Sequence, residues 1–567
     1  MKYMFYCEDR NYNSWYIENK MDKSIVETNE TSNLNIQPIR EKLFNSDTFE
    51  LSGNNCIIEH SSLRMLHQIP GVLVLENNKM YGKYKNKYLY KFITDDKRIP
   101  SFLVPYEVKK MGFEKKINNK FALIKFEHWN NKHPFGIVQN ILGDVDKLEC
   151  FYEYQLYCKS IHTSIQKFTK EAKKSIKNIS LDKCIDNIIE KNNFEDRLNY
   201  NIFSIDSDTT TDYDDAISIQ EHNDYNVISV YISNVIVWLE VLDLWDSFAE
   251  RISTIYLPDH KRTMLPTILS ECLCSLQEND QRFAFCIDFI IKNNKIINVE
   301  YKSCKIKLIK NYAYEEESLL NDEKYNKIKN ILQELCKEYK LLKSINNSYD
   351  VVSYLMILTN YYSAKQMRKH NNAIYRCVEL KKENTDNLPD NLPDNVCKFI
   401  QVWSNTSGSY KYQEESNHDT LNVDYYIHIT SPIRRLVDLL NMIIFMKNEN
   451  LMHISEKALL FYDKWIKQLD NINTSMRAIR KVQVDCDLLN LCINDSTTLE
   501  NTYEGYIFDK IKRTDGLFVY TVYLPEIKML SRIYIPYEKD NYERGLFKLH
   551  LFYNQDNLKK KIRLEML

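Results

Sequence analysis

Residues 204–219 read SIDSDTTTDYDDAISI and collect five aspartates, Asp206, Asp208, Asp212, Asp214 and Asp215, just before an apolar, strand-like run. Carboxylates repel one another, so a chain that gathers them must supply a compensating cation or leave them in water. A solvated acidic loop is one reading. A helix–loop–helix calcium site is a second, and it fails. Counted from Asp206, its sixth position is Thr211 where glycine is needed, and its twelfth is Ile217 where a bidentate glutamate is needed. The third reading is a magnesium site, built from a few hard carboxylates with phosphate and water completing the shell. Two such ions can activate a water and stabilise the leaving oxygen in phosphodiester cleavage. On an extended chain Asp212 and Asp214 point the same way and Asp215 the opposite way, while Asp206 must arrive across a turn that the threonines at 209–211 can supply.

Working outward, a length of 567 residues is too great for one core and suggests roughly four domains at about 150 residues each. Hydrophobic residues at 44% and charged residues at 27% are ordinary for a globular chain in water. No apolar run approaches the roughly 20 residues of a membrane span, and MKYMFYCEDRNYNSW has no signal-peptide core. These features predict a cytoplasmic protein, with the nucleus left open. The 14 cysteines include no CxxC pair, which predicts reduced thiols and no zinc. A net charge of only −2 means that any polyanion must be held by local positive surfaces.

Residues 1–69 read as polar and irregular. From Pro70, GVLVLENNKMYGKYKNKYLYKFI, KFALIKFEHW and FGIVQNIL are strand candidates separated by turns, which suggests a small barrel. Lys83, Tyr84, Lys85, Lys87 and Tyr88 interleave cations and rings, which suits stacking on bases while tracking phosphates and equally suits a packed strand face. AISIQ and YNVISVYIS then form a strand pair around EHND. Helical periodicity follows in NKIKNILQELCKEYKLLKSI, VVSYLMILTNYYSAKQMRKH and IRRLVDLLNMIIFM. DNLPDNLPDN, from Asp386, is a tandem repeat that reads as a flexible insertion. YEGYIF, LFVYTVYL and RIYIPY return to strands and suggest a second small barrel.

ITSPIRRLVDLLNMI, from Ile429, reads as a helix start with Ser431 as N-cap and Pro432 at the first helical position. Arg434 and Arg435 would lie in the first turn, where the helix dipole disfavours cations unless an anion binds the free N–H groups there. The alternative pairs each arginine with a neighbouring carboxylate. An acidic metal site together with an arginine site for phosphate is a phosphoryl-transfer combination.

Together these segments resemble the catalytic domain of the ribonuclease II and ribonuclease R exoribonucleases. Asp206, Asp212, Asp214, Asp215 and Ala216 fill the family's D-x5-D-x-D-D-A motif, and His428 to Asp438 match HFTSPIRRY-x-D. TIYLPDHKRTMLPTILSECLCSL, MILTNYYSAKQM and NNAIYR fall in register between them. DDKRIPSFLV and HPFGIVQNILGDV resemble the second cold-shock barrel of the eukaryotic catalytic exosome exonuclease, which looks like the nearest branch.

The resemblance implies an α+β fold: a mixed sheet with helices, flanked by small oligonucleotide-binding β-barrels. Its domains would be an N-terminal segment at 1–69 with a degenerate or absent first cold-shock barrel, a cold-shock-like barrel at 70–178, the catalytic domain at 179–497 and a C-terminal barrel at 498–567. It further implies a processive 3′→5′ exoribonuclease that hydrolyses single-stranded RNA to nucleoside 5′-monophosphates. Asp206, Asp212, Asp214 and Asp215 would hold magnesium in a two-metal site, with manganese as a substitute. Tyr256 would stack on the 3′ end, Arg434 would contact the scissile phosphate and Arg435 an adjacent one. Asp208 lies outside the motif. The expected state is a monomer, with no membrane and no exosome docking.

The chain departs from the family where H-I-A-D-V becomes Tyr231-Ile232-Ser233-Asn234-Val235 and where a tyrosine and a His-Arg pair become Leu436, Met442 and Ile443. A catalytically silent RNA-binding relative and a single-stranded DNA exonuclease are therefore the alternatives.

Overall fold

The computed structural model describes all residues except 1, 27–35, 53–54, 109–116, 179–180, 340, 343, 380–387, 390, 405–407, 414–417 and 514. It divides into two units, one formed by residues 163–483 and the other by 1–162 with 484–567.

The 163–483 unit is built on a closed five-stranded barrel: β1 (Glu195–Asp206), β2 (Asp215–Glu221), β3 (Asn226–Ser233), β4 (Gln281–Lys292) and β5 (Lys295–Ala313). Neighbours run antiparallel except β1 and β5, whose parallel pairing from Glu195↔Cys304 to Asp206↔Ala313 closes the ring. The near-continuous apolar runs follow from burial on both faces. Outward-facing Ile217, Ile219, Phe285, Ile287 and Phe289 join the main core, whereas Ala216, Tyr231, Ala284, Cys286 and Cys304 fill the interior. Such alternation, with small side chains inside, is what a narrow barrel requires.

The interior also encloses a charge pair. Arg197 donates to both oxygens of Asp288 at 2.8 and 2.6 Å, and Ser229 Oγ donates to the same carboxylate at 2.6 Å. Asp288 is held well below the usual carboxylate range because these contacts outweigh its burial.

Helices cover the barrel. α1 (Ser348–Met367) starts at Asn347, whose side chain accepts from Asp350 N at 2.8 Å as an N-cap. α2 (Leu436–Asn448) is buried on all sides from Leu436 to Met446, including Asp438 and Asn441. The expected helical start at Pro432 is corrected here: residues 432–434 form a turn and the helix begins at Leu436. Tertiary partners explain the shift. Ile433 N donates to the Asp214 side chain at 2.9 Å, Leu436 N to Ile252 O at 2.9 Å, and Asp438 accepts from Ser431 N at 2.8 Å.

In the other unit, residues 1–69 are more regular than their sequence suggests. An antiparallel sheet runs Ile25–Val26, Trp15–Asn19, Lys2–Cys7, Thr48–Ser52, Asn55–His60 in spatial order. Tyr3, Phe5 and Cys7 are buried at alternate positions of the first strand, a period that Met4 and Tyr6 on its other face obscure. The next sheet runs Ile69–Leu73, Lys120–His128, Phe135–Asp144, Phe102–Tyr106, Lys87–Thr94, Lys83–Tyr84, and pairing of Ile69–Leu73 with Lys87–Thr94 closes its ring. The last sheet comprises Met529–Ile535, Phe518–Leu524, Thr502–Lys512, Arg544–Asn554 and Lys559–Met566. Residues 386, 387 and 390 of the 386–395 repeat lie outside the described residues, and a helix, Asp394–Ser404, begins at its end.

Candidate functional site

The four motif aspartates share one cleft. Asp206 ends β1, Asp215 begins β2, and the 207–214 loop between them is pinned from below. Tyr213 N donates to Ser275 Oγ at 3.0 Å, Ser275 Oγ to Thr211 O at 3.0 Å, and Leu276 N to Tyr213 O at 3.0 Å. The LCSL run therefore holds the loop. Ser233 N completes the support by donating to Asp214 O at 2.8 Å. Strand alternation turns Asp215 away from Asp214 in an ideal strand, but the bend into β2 brings both to the cleft. Asp208 is exposed and outside the lining.

Each carboxylate has a distinct environment. Asp214 Oδ1 accepts from Ile433 N at 2.9 Å, and Arg434 Nε lies 3.0 Å from Oδ2 as an ion pair without hydrogen-bond alignment. Asp212 Oδ1 accepts from Lys261 Nζ at 2.7 Å. Burial, then repulsion from Asp215, pushes Asp206 up to about 8. Burial pushes Asp214 up to about 7 and Asp215 up to about 6, with Arg434 opposing both. The carboxylates are thus crowded and under-compensated.

This donor set fits a hard divalent cation. Asp206 Oδ2 and Asp212 Oδ2 are buried carboxylate oxygens without a hydrogen-bond partner. Among the described residues, no three His, Cys, Asp or Glu side chains already close on one point as a complete cage.

The two arginines differ. Arg434 reaches the cleft beside Asp214 with 45% of its side chain exposed, so part of its guanidinium is free for an anion. Arg435 is committed to Asp438, with Nε 2.8 Å from Oδ2 and Nη2 donating to Oδ1 at 2.9 Å. The backbone N–H groups expected to bind an anion here are already engaged, Ile433 with Asp214, Arg435 with Ser431 O and Leu436 with Ile252 O.

Tyr256 is 42% exposed on the Ile255–Tyr256 strand, which pairs with Lys261–Arg262. Its hairpin is fastened to the arginine turn, because Thr254 N and Ser253 Oγ both donate to Arg434 O at 2.9 Å. Sequence reasoning missed two more rings of the cleft, Tyr314 beyond the end of β5 and Tyr349 in the first turn of α1. Their centroids are 5.5 Å apart. No local signal separates them among 40 tyrosines; only the fold brings them to the aspartates. His428 lies at the back of the cleft, where Tyr410 O–H is 2.8 Å from its Nδ1 and burial holds it neutral, well below its ordinary value.

Known proteins share part of this sequence and this fold. Residues 192–349 and 344–447 match the RNB domain family. The DIS3-like exonuclease 2 of Schizosaccharomyces pombe is 28% identical over 229 residues, 38% of this chain and 24% of that protein. Ribonuclease R of Helicobacter pylori is 27% identical over 321 residues, 44% of this chain and 49% of that protein. The chain therefore spans about half or less of the length of these curated relatives. Among solved structures, Mycoplasma genitalium RNase R in complex with ribose-methylated single-stranded RNA aligns over 100% of both chains with a TM-score of 0.69 and 16% identity. Yeast Ssd1, a pseudonuclease, aligns over 94% of this chain and 78% of its own with a TM-score of 0.57 and 12% identity, a likeness of fold alone. Residues 192–447 of the chain thus match an RNB domain, and over this region the chain is similar to ribonuclease R and to the DIS3-like exonucleases.

Proposed function

We propose that this chain is a 3′→5′ exoribonuclease that degrades single-stranded RNA processively and releases nucleoside 5′-monophosphates. The observation that carries the reading is the crowding of Asp206, Asp212, Asp214 and Asp215 around a cleft in which two buried carboxylate oxygens lack any partner. These four residues would hold magnesium, in a two-ion arrangement that activates water and stabilises the leaving oxygen.

The remaining steps belong to the chain itself. Arg434, fixed beside Asp214, offers the free part of its fork to the scissile phosphate and meets charge as it develops. Tyr256 presents a ring on which the 3′-terminal base stacks, fixing the phosphate's distance from the aspartates. Arg435 is occupied by Asp438 and orients the turn, leaving Arg434 as the phosphate contact. Single-stranded RNA is the substrate class that the Mycoplasma RNase R complex holds on the same fold. We further infer that a single chain suffices, since every residue named comes from one cleft.

A second reading, a catalytically silent RNA-binding relative, rests on Asn234. This residue replaces the family's aspartate, is buried, and leaves both amide heteroatoms without a hydrogen-bond partner, next in sequence to Ser233, whose N–H donates to Asp214 O. One experiment separates the readings: a time course on 5′-labelled single-stranded RNA, with magnesium or EDTA, beside Asp214→Asn and a DNA oligomer of the same sequence. Magnesium-dependent loss of RNA to a short end product, absent in Asp214→Asn, supports the exoribonuclease. Intact RNA that shifts in a native gel supports the silent relative, and equal loss of DNA supports a nuclease without sugar selection.

A further inference from the structure

The phosphodiester chemistry leaves one contact in the cleft unexplained. Lys261, on the return strand of the Tyr256 hairpin, places its ammonium 2.7 Å from Asp212 Oδ1, 2.6 Å from Thr211 Oγ1 and 2.8 Å from Glu271 Oε1. All three ammonium donors are thereby used, so the side chain is anchored. The lysine takes one oxygen of Asp212 and leaves Oδ2 buried without a partner. Among the described ion pairs, Lys261 on Asp212 and Arg434 on Asp214 are the cations supplied to the four aspartates.

The same lysine also connects two parts of the site. Tyr256 and Lys261 are directly opposed across the two-stranded ladder. One end of this hairpin is fastened to the Arg434 carbonyl through Ser253 and Thr254, and Lys261 fastens the other to the ligand loop at Thr211 and Asp212. The stacking ring is therefore braced between the phosphate-contacting turn and the metal-binding loop.

We propose that Lys261 is a positioning residue that shares Asp212 with the divalent ion. It restricts Asp212 to a one-oxygen ligand, weakens metal binding by its own charge, and holds Tyr256 in register with the aspartates. The proposal rests on the metal-dependent reading above. A compact monocation on a ligand oxygen repels an incoming dication, and with Lys261 and Asp212 both mostly buried this repulsion is only partly screened. The expected compensation is that metal is retained chiefly when RNA phosphate adds its own oxygens to the shell.

The test titrates manganese, followed by electron paramagnetic resonance of the free ion, into RNA-free wild type, Lys261→Met and Lys261→Arg, with kcat and KM measured on RNA for each. Lys261→Met should bind manganese about tenfold more tightly and show a raised KM for RNA. Lys261→Arg, which keeps the charge but not the three-way ammonium geometry, should return manganese affinity toward the wild-type value. Lys261→Gln serves as the neutral variant if Lys261→Met does not fold. Unchanged or weaker manganese binding in the neutral variant overturns the charge-sharing role, and an unchanged KM overturns the bracing of Tyr256. A wild type that binds no manganese either free or with RNA present sinks the functional reading itself, and this proposal with it.

Discussion

Replacing one of the carboxylates proposed to bind metal should stabilise the metal-free protein while abolishing the proposed activity, and Asp206→Asn is the cleanest case. Burial and three neighbouring aspartates push the Asp206 carboxyl up to about 8 from an ordinary 3.8. Each unit corresponds to about 1.36 kcal/mol, so the ceiling on the penalty is roughly 5–6 kcal/mol. Sharing of protons with Asp215 and relaxation around the charge reduce it, and about 2 kcal/mol at pH 8 is the expected gain on substitution. Below about pH 4, folded and unfolded chains both carry the proton and the variant gains nothing. Between about pH 4 and 8 the unfolded chain is ionised while the metal-free folded chain retains its proton, so wild-type stability falls as pH rises and the loss is complete above the folded value. Thermal melting in EDTA from about pH 5 to pH 8 checks this. Asp206→Asn should melt a few degrees above wild type at the alkaline end, with the gap closing toward acid. Saturating magnesium should raise wild type and leave the variant where it was. A variant that melts at or below wild type in EDTA at pH 8 would refute the claim that these carboxylates are held together against their own repulsion.

The other predictions concern separate parts of the molecule. Arg434→Lys keeps a charge but loses the fork beside Asp214, and single-turnover cleavage should slow about 100-fold with little change in KM. Tyr256→Ala removes a stacking face worth about 1–3 kcal/mol per base, so short RNAs should bind about tenfold more weakly by fluorescence anisotropy. Asp288→Ala removes the bidentate partner of Arg197, leaving it the Glu195 ion pair at 2.8 Å, and should cost about 3 kcal/mol by denaturant melting, whereas the double change Arg197→Met with Asp288→Leu should recover most of it.

The site was legible where chemistry is concentrated in sequence. Asp206, Asp212, Asp214 and Asp215 announce themselves by spacing, and the β2–β3 hairpin by alternation around EHND. Contacts set by distant partners were not legible. The helix after SPIRR starts at Leu436 because Asp214 and Ile252 claim N–H groups that local capping rules assign to the helix start. Arg434 and Arg435 look equivalent in sequence, and only the position of Asp438, one turn into α2, commits Arg435. Lys261 gave no signal, since a lysine in a hairpin return is ordinary until Asp212 and Glu271 are seen on either side of it. The first strand of the 2–60 sheet was hidden by Met4 and Tyr6 on its other face, which blur the period of two.

The bond from Ile433 to Asp214 joins residues 219 apart in the chain, and β1 finds its parallel partner only when β5 has been made. A polypeptide emerging from the ribosome in order thus carries all four aspartates long before it can arrange them. Until Arg434 is out, Asp214 lacks both its backbone donor and its cation. For a protein proposed to destroy RNA, translated beside the message that encodes it, this long-range stitching would act as a safety catch: the nascent chain stays harmless to its own transcript until the catalytic unit is nearly complete.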